Sequence, residues 1–161
     1  MIIWAHGLWG NPNGSKVTAI RDSGIKINSP DFNNMELGER VEVLDNLVSN
    51  GDVTLVGSSY GGLACALVAQ KYPENVNGML LLAPALHLPE SPNDKPEELV
   101  APTNFPITII HSFTDEIVPI SASKDYIKRS GNNLRLIEVE DSHALENSFT
   151  LIISELNKLI N

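Results

Sequence analysis

Apolar residues in this chain recur in two rhythms that alternate along its length. Short β-branched or Leu-rich runs stand at 1–5 (M-I-I-W-A), 53–56 (V-T-L-V), 76–83 (V-N-G-M-L-L-L-A) and 106–111 (P-I-T-I-I-H). Runs that are apolar almost throughout predict strands buried on both faces. Leu134 to Val139 alternates and predicts a further strand, and Ile25 to Ile27 a brief one before the turn at Ser29-Pro30. Between these runs the spacing becomes helical. Leu37, Val41, Leu44 and Val48 share one face, closed by Gly51, and the Ala- and Leu-rich stretch 63–72 is stopped by Pro73. The last helix carries Leu145, Phe149, Ile152, Ile153, Leu156 and Ile160 on one face. Shorter helices are expected from Ser15, as a cap, to near Gly24, and from Pro119 to Gly131.

The order β-α-β-α-β-α-β-x-β-α-β-α predicts an α/β fold, a three-layer α/β/α sandwich around a six-stranded, mostly parallel sheet. Right-handed crossovers give strand order 2-1-3-4-5-6, with the topological switch between strands one and three. A ligand site is expected where loops 7–15 and 57–62 meet, and these are the two most glycine-rich loops of the chain. No repeat or linker divides residues 1–161, so one domain is expected. Pro89, Pro92, Pro96 and Pro102 mark residues 85–104 as an irregular, lid-like excursion or a short helix.

Composition narrows the classes. At 161 residues, 42% hydrophobic and 19% charged, the chain can bury a substantial core and is not disordered. A formal charge of −9 argues against nucleic acid or an anionic membrane as partner. One cysteine, Cys65, leaves no internal disulfide and reads as buried packing. Neither a signal peptide nor a membrane-length apolar stretch is seen, so a cytoplasmic protein is expected.

Candidate chemistry centres on Gly57-Ser58-Ser59-Tyr60-Gly61, which is G-x-S-x-G between a strand and a helix. A serine on so sharp a turn has strained torsions and an Oγ that stands clear of the sheet. Residues two before and two after it approach too closely for side chains. Ser59 has glycine at both distances; Ser58 does not. Chance alone would yield such a motif in roughly one of twenty chains with this Gly and Ser usage. The partners therefore decide.

A serine needs a base, usually a histidine held by a carboxylate. His143, on the loop after the last strand, is the candidate base; His6 and His111 close strands, and His87 lies in the excursion. Asp115, in F-T-D-E-I-V-P, is the candidate carboxylate. Asp141 is a rival, two residues from His143 and awkward for an orienting bond, and Glu116 is a weaker one. Oxyanion donors are expected from the backbone N–H groups of Tyr60, at the helix start, and Leu8, after His6-Gly7. Nothing in this set calls for a metal or a cofactor.

With Ser59, Asp115 and His143 in that order and His6-Gly7 upstream, the sequence resembles the α/β-hydrolase superfamily. It is most similar to the short, nearly lidless YqiA-like bacterial serine esterases, through H-G-L-x-G-x-P-x-G-S-K, L-V-G-S-S-Y-G-G, T-D-E-I-V and S-H-A. It lacks the first two antiparallel strands of the general fold and a full cap domain. The resemblance implies hydrolysis of small carboxylic esters; the residues alone reach acyl transfer through a serine. Trp9, Leu86 and Leu88 are candidate substrate-lining residues. Thioester and amide substrates stay open, as does a catalytically idle hydrolase fold that binds another protein. Oligomeric state is not readable.

Overall fold

The computed structural model describes residues 1–131 and 133–161. In chain order the elements are β1 (Ile2–Ala5), α1 (Ser15–Asp22), α2 (Leu37–Val48), β2 (Val53–Ser58) and α3 (Tyr60–Lys71). They continue as β3 (Val76–Leu82), β4 (Ile107–Ser112), α4 (Ser121–Arg129), β5 (Leu134–Val139) and α5 (Phe149–Ile160). The excursion at 85–104 holds one short 3₁₀ turn, Pro96–Glu98, and an isolated bridge between Glu90 and Asn93.

Among the described residues, five strands form one parallel sheet in the order β1-β2-β3-β4-β5. The sixth strand expected at 25–27 is reduced to a single bridge. Asn28 pairs outside β1, taking the Trp4 N–H at 2.7 Å and donating to Ile2 O at 2.9 Å. Pro30, two residues on, has no N–H with which to extend a ladder. Ser15 is the first helical residue rather than the cap; Gly14 holds that place and makes no side-chain bond. The last helix starts at Phe149, leaving Leu145 in the turn before it.

Side chains leave each strand alternately up and down, so the sheet has two apolar faces. Ile3, Ala5, Val53, Leu55, Met79, Leu81, Ile107 and Ile109 point to one face, where they pack with Leu37, Leu44 and Val48 of α2, the apolar side of α3 and Tyr126 of α4. Trp4, Val56, Leu80, Leu82 and Ile110 point to the other, against Val17 and Ile20 of α1 and Ile152 and Leu156 of α5. Strands two and three are buried on both sides, which is why their sequences are apolar without alternation.

Helix α3 is buried over nearly its whole length because it sits between the sheet and α2. Its entry is very tight. A Cβ on Gly61 would lie 2.2 Å from Ala5 O and 2.6 Å from His6 O, and one on Gly57 would lie 2.7 Å from Gly62 Cα. Backbone occupies those places, so neither position admits a side chain.

Gly61→Ala is therefore expected to destabilise the fold by roughly 1–3 kcal/mol, although alanine is the better helix former. Gly38→Ala, on α2 with open space around the added methyl, is expected to stabilise by a few tenths to about 1 kcal/mol. Denaturant unfolding of both variants checks the pair. A Gly61→Ala protein as stable as the parent contradicts the close approach.

Candidate active site

Ser59 is the one residue between the end of β2 and the start of α3. Its φ of 53° and ψ of −116° lie where residues with a Cβ rarely go, a strain worth roughly 1–3 kcal/mol. Neighbouring backbone holds it there. Ser59 N–H donates to Leu82 O at 2.9 Å, while the N–H groups of Ala85 and Leu63 donate to Ser59 O at 3.0 and 3.2 Å.

His143 and Asp115 arrive from the loops after β5 and β4. His143 Nε2 stands 3.0 Å from Ser59 Oγ, and Nδ1 stands 2.7 Å from Asp115 Oδ2. A carboxylate can only accept, so the imidazole carries its proton on Nδ1 and leaves Nε2 free to accept the serine O–H. The Asp115 side chain is fully buried, and its Oδ1 takes the N–H groups of Ile117 and Val118 at 2.8 and 2.9 Å. Burial alone would raise its pKa. The His143 bond and the two N–H donors outweigh that and hold the carboxyl below the ordinary value.

Ser112, at the end of β4, staples the two loops together. Its Oγ donates to Asp141 O at 2.6 Å and accepts the Asp141 N–H at 3.1 Å, with Thr114 Oγ1 adding a second bond to Asp141 O. Asp141 itself turns away from His143. Its two oxygens accept from Ser142 N–H, Asn147 N–H, Asn147 Nδ2 and Ser148 Oγ, so it organises the turn before α5. His111 is fully buried, bonded to Val118 O and Ser123 Oγ, with Nε2 3.3 Å from Asp115 Oδ2. Burial lowers its pKa, so the ring that supports the Asp115 loop is neutral.

The loop after β1 lies against the serine: a Cβ on Gly7 would come within 3.4 Å of Ser59 Cβ. Leu8 and Tyr60, the expected donors, both line the cleft above Ser59. Among the described residues no protein acceptor takes either N–H. The cleft holds about 840 Å³. Trp9, 83% exposed, Leu8, Met35, Leu88, Ile117 and Val118 all line it.

Leu86 is not part of it. That side chain is fully buried in the core on the α2–α3 side of the sheet, and Leu88 is the excursion leucine that reaches the cleft. Sequence reasoning missed Glu90, Met35 and the Ile117-Val118 wall. Glu90 was legible only as one of several acids in the excursion, yet it accepts the Tyr60 O–H at 2.5 Å. Burial first, then that bond, pushes the phenol up to about 12. Among the described residues no group of three or more His, Cys, Asp or Glu side chains is placed to hold a metal, and no helix is long and apolar enough to cross a membrane.

Comparison with known proteins bears on this arrangement. The family described as "alpha/beta hydrolase fold" matches residues 19–105, a stretch that contains the Ser59 turn and stops short of Asp115 and His143. A search of curated proteins finds no significant match. Solved structures do match. An alpha/beta-superfamily protein from Xanthomonas campestris pv. campestris is 24% identical, with TM-score 0.78 over 99% of this chain and 96% of that one. Mouse alpha/beta hydrolase domain-containing protein 10 is 23% identical, with TM-score 0.80 over 99% and 88%. The monoacylglycerol lipase of Paleococcus ferrophilus is 13% identical, with TM-score 0.81 over 98% and 94%. At these identities the likeness is one of fold. With more than half of its length matched by the family, the chain belongs to the alpha/beta hydrolase fold family.

Proposed function

We propose that this protein is a serine hydrolase that cleaves small carboxylic esters through an acyl-enzyme. The observation that carries the reading is the continuous hydrogen-bonded line from Ser59 Oγ through His143 to Asp115, seated on a strained strand-to-helix turn. Ser59 Oγ attacks the ester carbonyl carbon while His143 Nε2 takes its proton. Asp115 holds the reacting tautomer and stabilises the imidazolium. The oxyanion forms against the N–H groups of Leu8 and Tyr60, the latter at a helix N-terminus whose dipole favours negative charge. Collapse breaks the ester C–O bond, and His143 returns the proton to the leaving alcohol. Water, activated by the same imidazole, then adds to the acyl carbon and releases the acid. The apolar walls at Leu8, Trp9, Leu88 and Ile117 suit the uncharged part of such a substrate.

Ser59→Ala is expected to lower hydrolysis of short acyl aryl esters by at least roughly 10³-fold, with unchanged thermal stability. A fluorophosphonate probe should label the parent at Ser59. A parent that neither labels nor turns over ester, thioester or amide points instead to an idle, protein-binding member of the family.

The two aspartates separate by readout. Asp115→Asn is expected to cost roughly 10³- to 10⁴-fold in kcat, because the ring then settles in the wrong tautomer. Asp141→Asn should keep most of kcat but lose stability, since an amide cannot accept four donors. Hydrogen bonds outweigh burial and hold the Asp141 carboxyl below its ordinary value. A depressed pKa contributes stability above the unfolded value, and that contribution is lost as pH falls through the folded one. The Tm gap between parent and Asp141→Asn should therefore be full at neutral pH and close in acid, below about pH 4. If Asp141→Asn is the crippled enzyme and Asp115→Asn turns over normally, the roles are misassigned.

Leu88→Ala should change acyl-length preference and KM while leaving the fold intact. Leu86→Ala should instead cost about 2–5 kcal/mol of stability, as a buried leucine does. Chain-length profiles and unfolding curves for the two variants check the assignment.

A further inference from the structure

Arg40, on the first turn of α2, is 1% exposed and heads the fully buried side chains by volume among the described residues. Its guanidinium donates to three backbone carbonyls: Nε to Met35 O at 3.1 Å, Nη1 to His6 O at 2.7 Å and Nη2 to Phe32 O at 3.1 Å. Its Cζ lies 4.7 Å from the Tyr60 ring centroid and 5.5 Å from that of Phe32. Among the described residues no carboxylate makes an ion pair with it; Glu90 stands beyond the Tyr60 hydroxyl. Burying a guanidinium with no ion-pair partner is costly, and an apolar side chain would fill the space without that penalty. Its donors must therefore hold something.

What they hold leads to the proposed oxyanion site. Phe32, gripped by its carbonyl, donates its N–H to His6 Nε2 at 3.0 Å. His6 therefore carries its proton on Nδ1, which donates to Gly7 O at 2.8 Å. Gly7 C=O and Leu8 N–H belong to one planar peptide, so fixing the carbonyl fixes the N–H. A hydrogen bond at the carbonyl also polarises the amide and strengthens its N–H as a donor. The other donor, Tyr60 N–H, belongs to the residue whose ring lies against the guanidinium.

We infer that Arg40 is a positioning residue of the oxyanion hole, fixing the Leu8 amide through His6 and the start of α3 through the Tyr60 ring. The inference rests on the acyl-transfer reading above. Lysine cannot replace it, since one ammonium on a flexible stem does not span three diverging carbonyls and stack on a ring.

The test compares Arg40→Met and Arg40→Lys with the parent, using a p-nitrophenyl ester of short chain length and a fluorophosphonate probe. An amide that has lost its alignment should lower kcat roughly 10- to 100-fold. KM should stay within about threefold and the pH profile should not move, because the His143–Asp115 pair is untouched. The rate of Ser59 labelling should fall by the same factor, since phosphonylation, with loss of fluoride, also develops charge on the phosphoryl oxygen. A folded Arg40→Met protein with parental kcat overturns the inference, as does a loss confined to KM or a shifted pH profile. Should Arg40→Met fail to fold, Arg40→Lys decides: parental kcat in that variant overturns the inference, and lowered kcat with a Tm near the parent's supports it. A parent without esterase activity that still labels sinks the ester reading alone, and the labelling rates of the variants then test Arg40. A parent that does neither removes both.

Discussion

The backbone at the start of α3 passes so close to the end of β1 that the space where a Gly61 Cβ would sit is already taken by Ala5 O. That contact sets the geometry of the whole cleft. It leaves a single residue, Ser59, to turn the chain from strand into helix, and that one-residue turn holds Ser59 at positive φ. It also draws the loop after β1 against the serine, with Gly7 as near to Ser59 as a Cβ would allow. The strain persists because Leu82, Leu63 and Ala85, all buried in the core, bond the Ser59 backbone.

The opposite side of the cleft is assembled by polar rather than apolar contacts. Ser112 and Thr114 tie the β4 loop to Asp141, which brings the Asp115 and His143 loops to a common edge. The two aspartates there differ in how many donors surround them. Asp115 spends Oδ1 on two backbone N–H groups and keeps Oδ2 for imidazole. Asp141 has both oxygens filled by its own turn. Identical side chains thus serve different ends because their backbones present different numbers of donors.

Much of this was legible in the sequence, for reasons that can be named. The strands are nearly continuous apolar runs because helices cover both sheet faces, and Gly57 and Gly61 report a steric exclusion that no other residue type satisfies. The chain order of Ser59, Asp115 and His143 follows from strand ends that share one edge. Other features left no such trace. Leu86 and Leu88 stand two apart in a segment without regular period, so neither parity nor spacing could say which faces the core. The run 25–27 has strand composition, and only the geometry at Asn28 and Pro30 shows that pairing stops after one bridge. Arg40 is harder to read: it stands three residues after Leu37 and four before Leu44, so helical spacing sets it beside the buried stripe, but nothing local reveals three carbonyls waiting for it.

The histidines show how the fold narrows the chemistry. His6 has one ring nitrogen on Gly7 O and the other on Phe32 N–H, so both are committed to backbone. His111 is committed likewise, to Val118 O and the Ser123 hydroxyl. Burial lowers the pKa of both rings, which keeps them neutral and fixed in one tautomer. Of these three, His143 is the one whose nitrogen faces a serine hydroxyl that lines the cleft, with its other nitrogen 2.7 Å from Asp115 Oδ2. A base must exchange a proton with a reacting group, and a ring whose nitrogens are both held by structural partners cannot do so without breaking them. On the acyl-transfer reading proposed above, His143 is the base because the backbone leaves it free, and the same backbone uses the other two to brace the loops on either side of it.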